Sequence, residues 1–259
     1  MKKQLYIVKI GGNCIDNPNE LGPFLENFAR LPASKILIHG GGKIATQISQ
    51  KLGIVPKLVE GRRITSKEEL EVVTMVYAGL INKKIVATLQ SKNCNALGLS
   101  GADANTILAK KRPVKTIDYG FVGDIEEINT EIIELLLQKN TIPVFSAITH
   151  DKKSVLLNTN ADTIASSLAV ALSQNYETTL IYCFEKKGVL KDTEDENSII
   201  STLKFQKYEE LKKQEIIYKG MIPKLDNCFD ALQKGVQKVI ISNIDFIKNK
   251  DLPHTEILL

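Results

Sequence analysis

Short, almost unbroken apolar runs alternate with stretches of helical periodicity along the whole 259-residue chain. Runs rich in Val, Ile and Leu predict strands over Leu5–Ile10, Lys35–His39, Ala96–Leu99, Thr141–Ile148, Ser154–Leu157, Thr178–Phe184, Val236–Ser242 and Glu256–Leu259. Several have no polar alternation, which is the pattern of parallel strands covered on both faces. Ser66-Lys67-Glu68-Glu69 reads as a capping box opening a helix, with Leu70, Val73, Val76, Tyr77 and Leu80 at helical spacing. Asn129 is placed to cap Glu131–Lys139, and Asn160 or Asp162 opens the run to Ser173. Pro223 opens Lys224–Gln233, which Gly235 ends. The alternation predicts an α/β fold built on a mainly parallel open sheet. Both early glycine turns precede Thr149, and the later strands follow it. The expected organisation is one domain over 1–259 whose lobes, about 1–150 and 151–259, share one sheet.

Composition narrows this little. Hydrophobic residues make up 43% and charged residues 25%, as in ordinary globular chains. The net charge of +4 is spread without a basic block, so nucleic acid is not an expected partner. Cys14, Cys94, Cys183 and Cys228 form no CxxC pair, and His39, His150 and His254 add no ligand spacing, so a side-chain metal site is not expected. Met1–Val8 is too short for a signal segment, and no apolar run looks long enough to cross a membrane. A cytoplasmic protein with reduced thiols is the expectation.

The chemistry concentrates where predicted strands end. Val8-Lys9-Ile10-Gly11-Gly12-Asn13 and Ile38-His39-Gly40-Gly41-Gly42 each carry glycines directly after a buried strand, and a helical run follows the second. Turns without Cβ atoms let a ligand reach backbone N–H groups at a positive helix end. Lys9 lies inside an apolar run, where an ammonium is costly unless it meets an anion. Glu60-Gly61-Arg62-Arg63-Ile64-Thr65 offers guanidinium groups for a carboxylate, or two solvated arginines on a loop. Asn158-Thr159-Asn160-Ala161-Asp162 packs more amide and carboxylate groups than one helix cap needs. In Gly220-Met221-Ile222-Pro223-Lys224 a lysine stands in a first helical turn, disfavoured by the dipole unless a phosphate is its partner. His39 is expected to be a structural hydrogen bonder. No P-loop, no G-x-G-x-x-G after a strand and no G-x-S-x-G is present.

Taken in order, V-K-I-G-G-N, H-G-G-G, G-R-R-I-T, N-x-N-A-D and G-M-I-P-K resemble the acetylglutamate kinases of the amino-acid kinase superfamily, and Gly98–Gly101 and Gly120–Gly123 look similar too. The resemblance covers almost the whole chain. It implies an αβα sandwich with an acylglutamate site in the N-terminal lobe and ATP in the C-terminal lobe. It also implies phosphorylation of the γ-carboxylate of N-acetyl-L-glutamate in arginine biosynthesis, with Mg²⁺ as cofactor. Lys9 and Lys224 would stabilise the transferring phosphoryl, and Asp162 would orient both. Gly41 and Gly42 would hold substrate and phosphoryl, Arg63 the α-carboxylate, and Asn158 the acylamino acid. Gly11, Gly12, Glu185, Gly188, Val189 and Leu190 would contact ATP and its phosphates.

Phe184-Glu185-Lys186-Lys187-Gly188 stands where such kinases usually carry Thr-Asp-x-x-Gly, so Glu185 would replace an aspartate. An N-succinyl-L-glutamate kinase with the same mechanism, and a non-catalytic ligand-sensing homologue, are the alternative readings. Only Met1–Gln4 precede the first strand, and relatives that form hexamers and respond to arginine carry an extra helix there. A homodimer insensitive to arginine is the expectation.

Overall fold

The structure is a computed structural model, and it describes residues 2–59, 61–192, 194–217 and 221–259. β1 (Lys3–Ile10), α1 (Gly12–Asp16), α2 (Pro18–Arg30), β2 (Ser34–His39) and α3 (Gly42–Lys51) open the chain. A hairpin of β3 (Lys57–Val59) and β4 (Arg62–Ile64) leads to α4 (Lys67–Thr74), which runs through a π-helical stretch, Met75–Ile81, into α5 (Asn82–Gln90). Then come β5 (Ala96–Leu99), β6 (Ile107–Lys111), β7 (Gly123–Ile128), α6 (Glu131–Gln138), β8 (Ile142–Ser146), β9 (Ile148–His150) and β10 (Leu156–Asn158). The remainder is α7 (Ala161–Leu172), β11 (Tyr176–Cys183), β12 (Thr202–Lys204), α8 (Phe205–Lys213), α9 (Met221–Gln233), β13 (Lys238–Ser242) and β14 (Thr255–Leu258).

Eight strands form one sheet in the order β12-β14-β13-β11-β1-β2-β8-β5. Its pairings are parallel except β13 with β14. From Leu5 to Ile10 every residue of β1 is buried, as its unbroken apolar run predicts. Register decides where chemistry gathers. Ile10 lies opposite His39 on β2 and Cys183 on β11, His39 opposite Ser146 on β8, and Cys183 opposite Ser242 on β13. Five strands therefore release their chains at one level, and the turns after them converge there. The four strands that precede residue 150 lie on one side of the β1–β11 pairing, and the later ones lie on the other.

A second sheet, β10-β9-β6-β7, and the hairpin β3-β4 are absent from the sequence expectation. The predicted single strand Thr141–Ile148 divides at Ala147, whose carbonyl accepts the Thr159 N–H, and the chain passes from the main sheet into the second one. The predicted strand at Ser154 begins only at Leu156, because Ser154 adopts a left-handed turn conformation with φ +68°.

Helix starts follow the local chemistry. Asn160 Oδ1 accepts the N–H groups of Asp162 and Thr163, and Asn129 Oδ1 accepts that of Glu131. α9 is described from Met221 and so already includes the two residues before Pro223, which was expected to open it; Gly220 lies outside the described residues. The continuous helix Lys67–Gln90 is long and apolar enough to cross a membrane by length and composition, which the sequence reading did not recognise. Its Val72, Val73, Val76, Tyr77, Ile81, Ile85 and Leu89 are buried in the core.

Candidate active site

The turns that leave the sheet together enclose a cavity of about 1270 Å³. Lys9, Gly11, Gly12, Gly41, Gly42, Arg63, Asn158, Glu185, Gly188 and Lys224 all line it, and residues 172 positions apart in the chain touch across it. Lys9 is buried, and its Nζ stands 2.7 Å from Asp162 Oδ1. The contact is an ion pair without well-directed hydrogen-bond geometry. Asp162 is fixed from behind, its N–H on the Asn160 cap and its carbonyl accepting the Tyr182 hydroxyl at 3.0 Å.

Lys224 departs from the expected arrangement. Among the described residues no carboxylate stands within 4.0 Å of its ammonium, so Asp162 pairs with one lysine rather than two. Instead its Nζ rests 3.9 Å from the centroid of the Phe184 ring, and Lys9 Nζ stands 5.2 Å from the same ring. Phe184 is in turn stacked on Tyr182, with 4° between the ring planes. A π-face attracts cations, so the ring is a floor beneath both ammonium groups. Burial pushes the Lys224 ammonium below its ordinary pKa, and the Asp162 charge opposes that shift.

The second glycine turn owes its shape to Gly41, whose φ of +151° places it where a Cβ would come 2.2 Å from Ile81 Cδ1. Gly42 opens α3 behind it. His39 is fully buried: its Nδ1 lies 2.8 Å from the Gly40 carbonyl and its Nε2 3.0 Å from Asn82 Nδ2. This pairing assigns the proton to Nδ1, with Asn82 donating to Nε2. Asn82 also donates to Val144 O, so His39 ties β2 to α5 and β8.

Arg63 is buried and already engaged. It donates to Glu69 Oε2 at 2.8 Å, to Gly42 O at 2.9 Å and to Thr46 Oγ1 at 2.6 Å. Glu69, expected to complete the capping box at Ser66, is drawn to the guanidinium instead. Ser66 Oγ still accepts the Glu69 N–H. Arg62 beside it is exposed, and Glu60 lies outside the described residues. Asn158 Nδ2 donates to Thr65 Oγ1, and its N–H to Phe121 O. Gly120, at φ +72°, makes that junction possible, since a Cβ would fall 2.2 Å from Thr65 O.

Two expected nucleotide contacts lie elsewhere. Val189 and Leu190 are buried and do not line the cavity. The Val189 N–H is bonded to Thr255 Oγ1, and Leu190 bridges Ile199, which ties this segment to the core instead. Other lining residues had no role in the sequence reading: Asn13 and Met221, quoted there only within motifs, and Lys43, Arg112, Asn243 and Asp245. Lys43 donates to Asn13 Oδ1, and Asn13 Nδ2 donates to Glu185, so the three turns are joined across the mouth. Asn243 and Asp245 follow β13, whose end the register already places at this level. Among the described residues no three His, Cys, Asp or Glu side chains gather as a protein-held metal would need.

A family model described as the amino acid kinase family matches residues 4–243. The chain belongs to the amino acid kinase family. It is 58% identical over 240 residues to a protein of Cytophaga hutchinsonii named acetylglutamate kinase, covering 92% of this chain and 91% of that one. Proteins of the same name from Phocaeicola vulgatus and Methanopyrus kandleri are 50% and 35% identical, each over more than nine-tenths of both chains. Among solved structures, a Streptococcus mutans protein superposes with a TM-score of 0.81 at 26% identity, covering 99% of both chains. Carbamate kinase from Giardia lamblia bound to AMP-PNP superposes at 0.70 with 14% identity, over 99% of this chain and 98% of that one, a likeness of fold alone. The largely parallel α/β sheet is the one expected from the strand pattern, and the family is the one whose αβα sandwich the resemblance implied.

Proposed function

We propose that this chain transfers the γ-phosphoryl group of ATP to the γ-carboxylate of N-acetyl-L-glutamate, forming N-acetyl-L-glutamyl 5-phosphate in arginine biosynthesis. The observation that carries the reading is 58% identity, over nearly the full length of both chains, to a protein named acetylglutamate kinase. The Lys9–Asp162 pair beside two glycine turns supports it. A carboxylate oxygen attacks the γ-phosphorus as the bond to the ADP oxygen breaks. The carboxylate needs no base, so the protein's task is positioning and neutralising charge. In this reading Lys9 and Lys224 meet the transferring phosphoryl, and Asp162 holds Lys9. N–H groups of Gly11, Gly12, Gly41 and Gly42 line the phosphate path. Arg63 and Asn158 address the acylamino acid, and Glu185 and Gly188 the nucleotide. Mg²⁺, when bound, would supply charge neutralisation on the nucleotide phosphates, and among the described residues no cluster of three His, Cys, Asp or Glu side chains is formed to hold it. The enzyme works as a cytoplasmic homodimer.

The test is ADP release with N-acetyl-L-glutamate, N-succinyl-L-glutamate and L-aspartate as acceptors. Turnover with an acylglutamate and none with aspartate is expected. Binding of acylglutamate without ADP release would identify a sensing homologue and overturn the kinase reading.

A further inference from the structure

One continuous helix, Lys67–Gln90, runs behind the second glycine turn, and it leaves the α-helical form over Met75–Ile81. Four of its side chains serve that turn in succession. Asn82 Nδ2 lies 3.0 Å from His39 Nε2, Ile81 and Tyr77 stand against Gly41, Tyr77 reaches on toward Gly42, and Glu69 holds the Arg63 guanidinium that donates to Gly42 O. An unbroken α-helix turns about 100° per residue, which would leave Asn82 about 140° round the axis from Glu69. The i→i+5 turns of the π form are wider and rotate less per residue, so the π stretch keeps Asn82 on the side that Glu69 faces. The contact with the turn is close. A Cβ at Gly41 would come 2.2 Å from Ile81 Cδ1 and 3.2 and 3.3 Å from Cδ1 and Cε1 of the Tyr77 ring, and one at Gly42 would come 3.9 Å from the Tyr77 hydroxyl. Both side chains are buried, and Tyr77 also lines the cavity. A close-packed wall of this kind passes any displacement on to the backbone it supports.

We infer that Tyr77 and Ile81 are positioning residues for phosphoryl transfer. The edge of the Tyr77 ring and the Ile81 Cδ1 methyl fix the direction in which Gly41 and Gly42 present their N–H groups, and the π-helical stretch is the device that brings both side chains there. Single π turns inside α-helices are rare and recur at functional sites. Neither side chain has to touch the substrate, because each acts through the backbone of the turn. The inference rests on the kinase reading, in which those N–H groups line the phosphate path.

The experiment measures kcat and both KM values, with N-acetyl-L-glutamate and ATP, in purified wild type, Tyr77→Leu, Tyr77→Phe, Ile81→Val and Val76→Ala, with thermal unfolding of each. Val76 is buried on the same stretch and serves as the control for packing alone. Tyr77→Leu should lower kcat by about 10- to 100-fold, the scale of a misplacement approaching 1 Å. Ile81→Val, which removes the methyl facing Gly41, should lose less but in the same direction. Tyr77→Phe keeps the ring edge and should stay near wild type. Val76→Ala should unfold at a lower temperature and keep its kcat, and the KM for ATP should hold in all four variants. Wild-type kcat in Tyr77→Leu and Ile81→Val, or a loss in Val76→Ala as large as theirs, overturns the inference and leaves the kinase reading standing. No turnover by the wild-type protein removes both. If Tyr77→Leu does not fold, Ile81→Val against Val76→Ala decides.

Discussion

At the scale of single residues, the site is organised by what each buried charge faces. Lys9 has the Asp162 carboxylate at 2.7 Å, whereas Lys224 has an aromatic ring and, among the described residues, no carboxylate within 4.0 Å. The two ammonium groups are thus held differently before any phosphate arrives. In the proposed mechanism both serve charge that grows in the transition state, so Lys9→Ala and Lys224→Ala should each lower kcat by roughly a hundredfold or more, with smaller changes in KM. Near wild-type turnover at saturating substrate in either variant removes that lysine from the transition state. Phe184→Leu tests the floor beneath them. A desolvated cation–π contact amounts to about 1–2 kcal/mol, which predicts a loss in kcat of about 5- to 30-fold while both lysines remain. An unchanged kcat in Phe184→Leu would reduce the ring to packing. Lys9 and Asp162 were legible because a lysine in an apolar strand and an aspartate in a crowded cap are both locally anomalous. The Phe184 contact was not, since the ring reaches Lys9 and Lys224 only after three distant segments assemble.

At the scale of elements, legibility follows burial. The parallel strands are covered on both faces and announce themselves as apolar runs. β6, β7 and the hairpin β3-β4 are half-exposed and antiparallel, and β7 reads Gly-Asp-Ile-Glu-Glu-Ile, which resembles a polar loop. Arg112, which lines the cavity from the end of β6, lies in this part of the chain and went unread. The start of α4 shows a sequence signal obeyed by one half. Ser66 caps the helix, but Glu69 is claimed by Arg63. Magnitudes separate the two roles. Ser66→Ala loses a cap and should cost about 1 kcal/mol. Glu69→Ala strands a buried guanidinium and should cost about 3–5 kcal/mol, with a raised KM for the amino-acid substrate if Arg63 shifts. Urea unfolding of both variants checks this, and equal losses would mean that Glu69 is only a cap.

At the scale of the whole molecule, the site exists because five strand ends share one level, and His39 is a bolt in that arrangement. It joins the end of β2 to Asn82 on α5 and, through Asn82, to the backbone of β8. Burial lowers its pKa from 6.5 to about 4, and its hydrogen bond to the Gly40 carbonyl only partly opposes that shift. The sign of the pH effect follows. The unfolded chain binds a proton near pH 6.5 that the folded chain refuses until about pH 4, so stability from neutral His39 is complete above pH 6.5. It is lost progressively as pH falls through that window. At 1.36 kcal/mol per pKa unit, the loss from this group is about 2 kcal/mol at pH 5. Urea titrations at pH 7 and pH 5 should show that loss in the wild-type protein and a smaller difference between the two pH values in His39→Gln. Comparing each protein with itself cancels whatever the substitution costs at neutral pH. If His39→Gln loses as much stability on acidification as wild type, the acid sensitivity belongs to other groups, and His39 joins the strands without setting their response to pH.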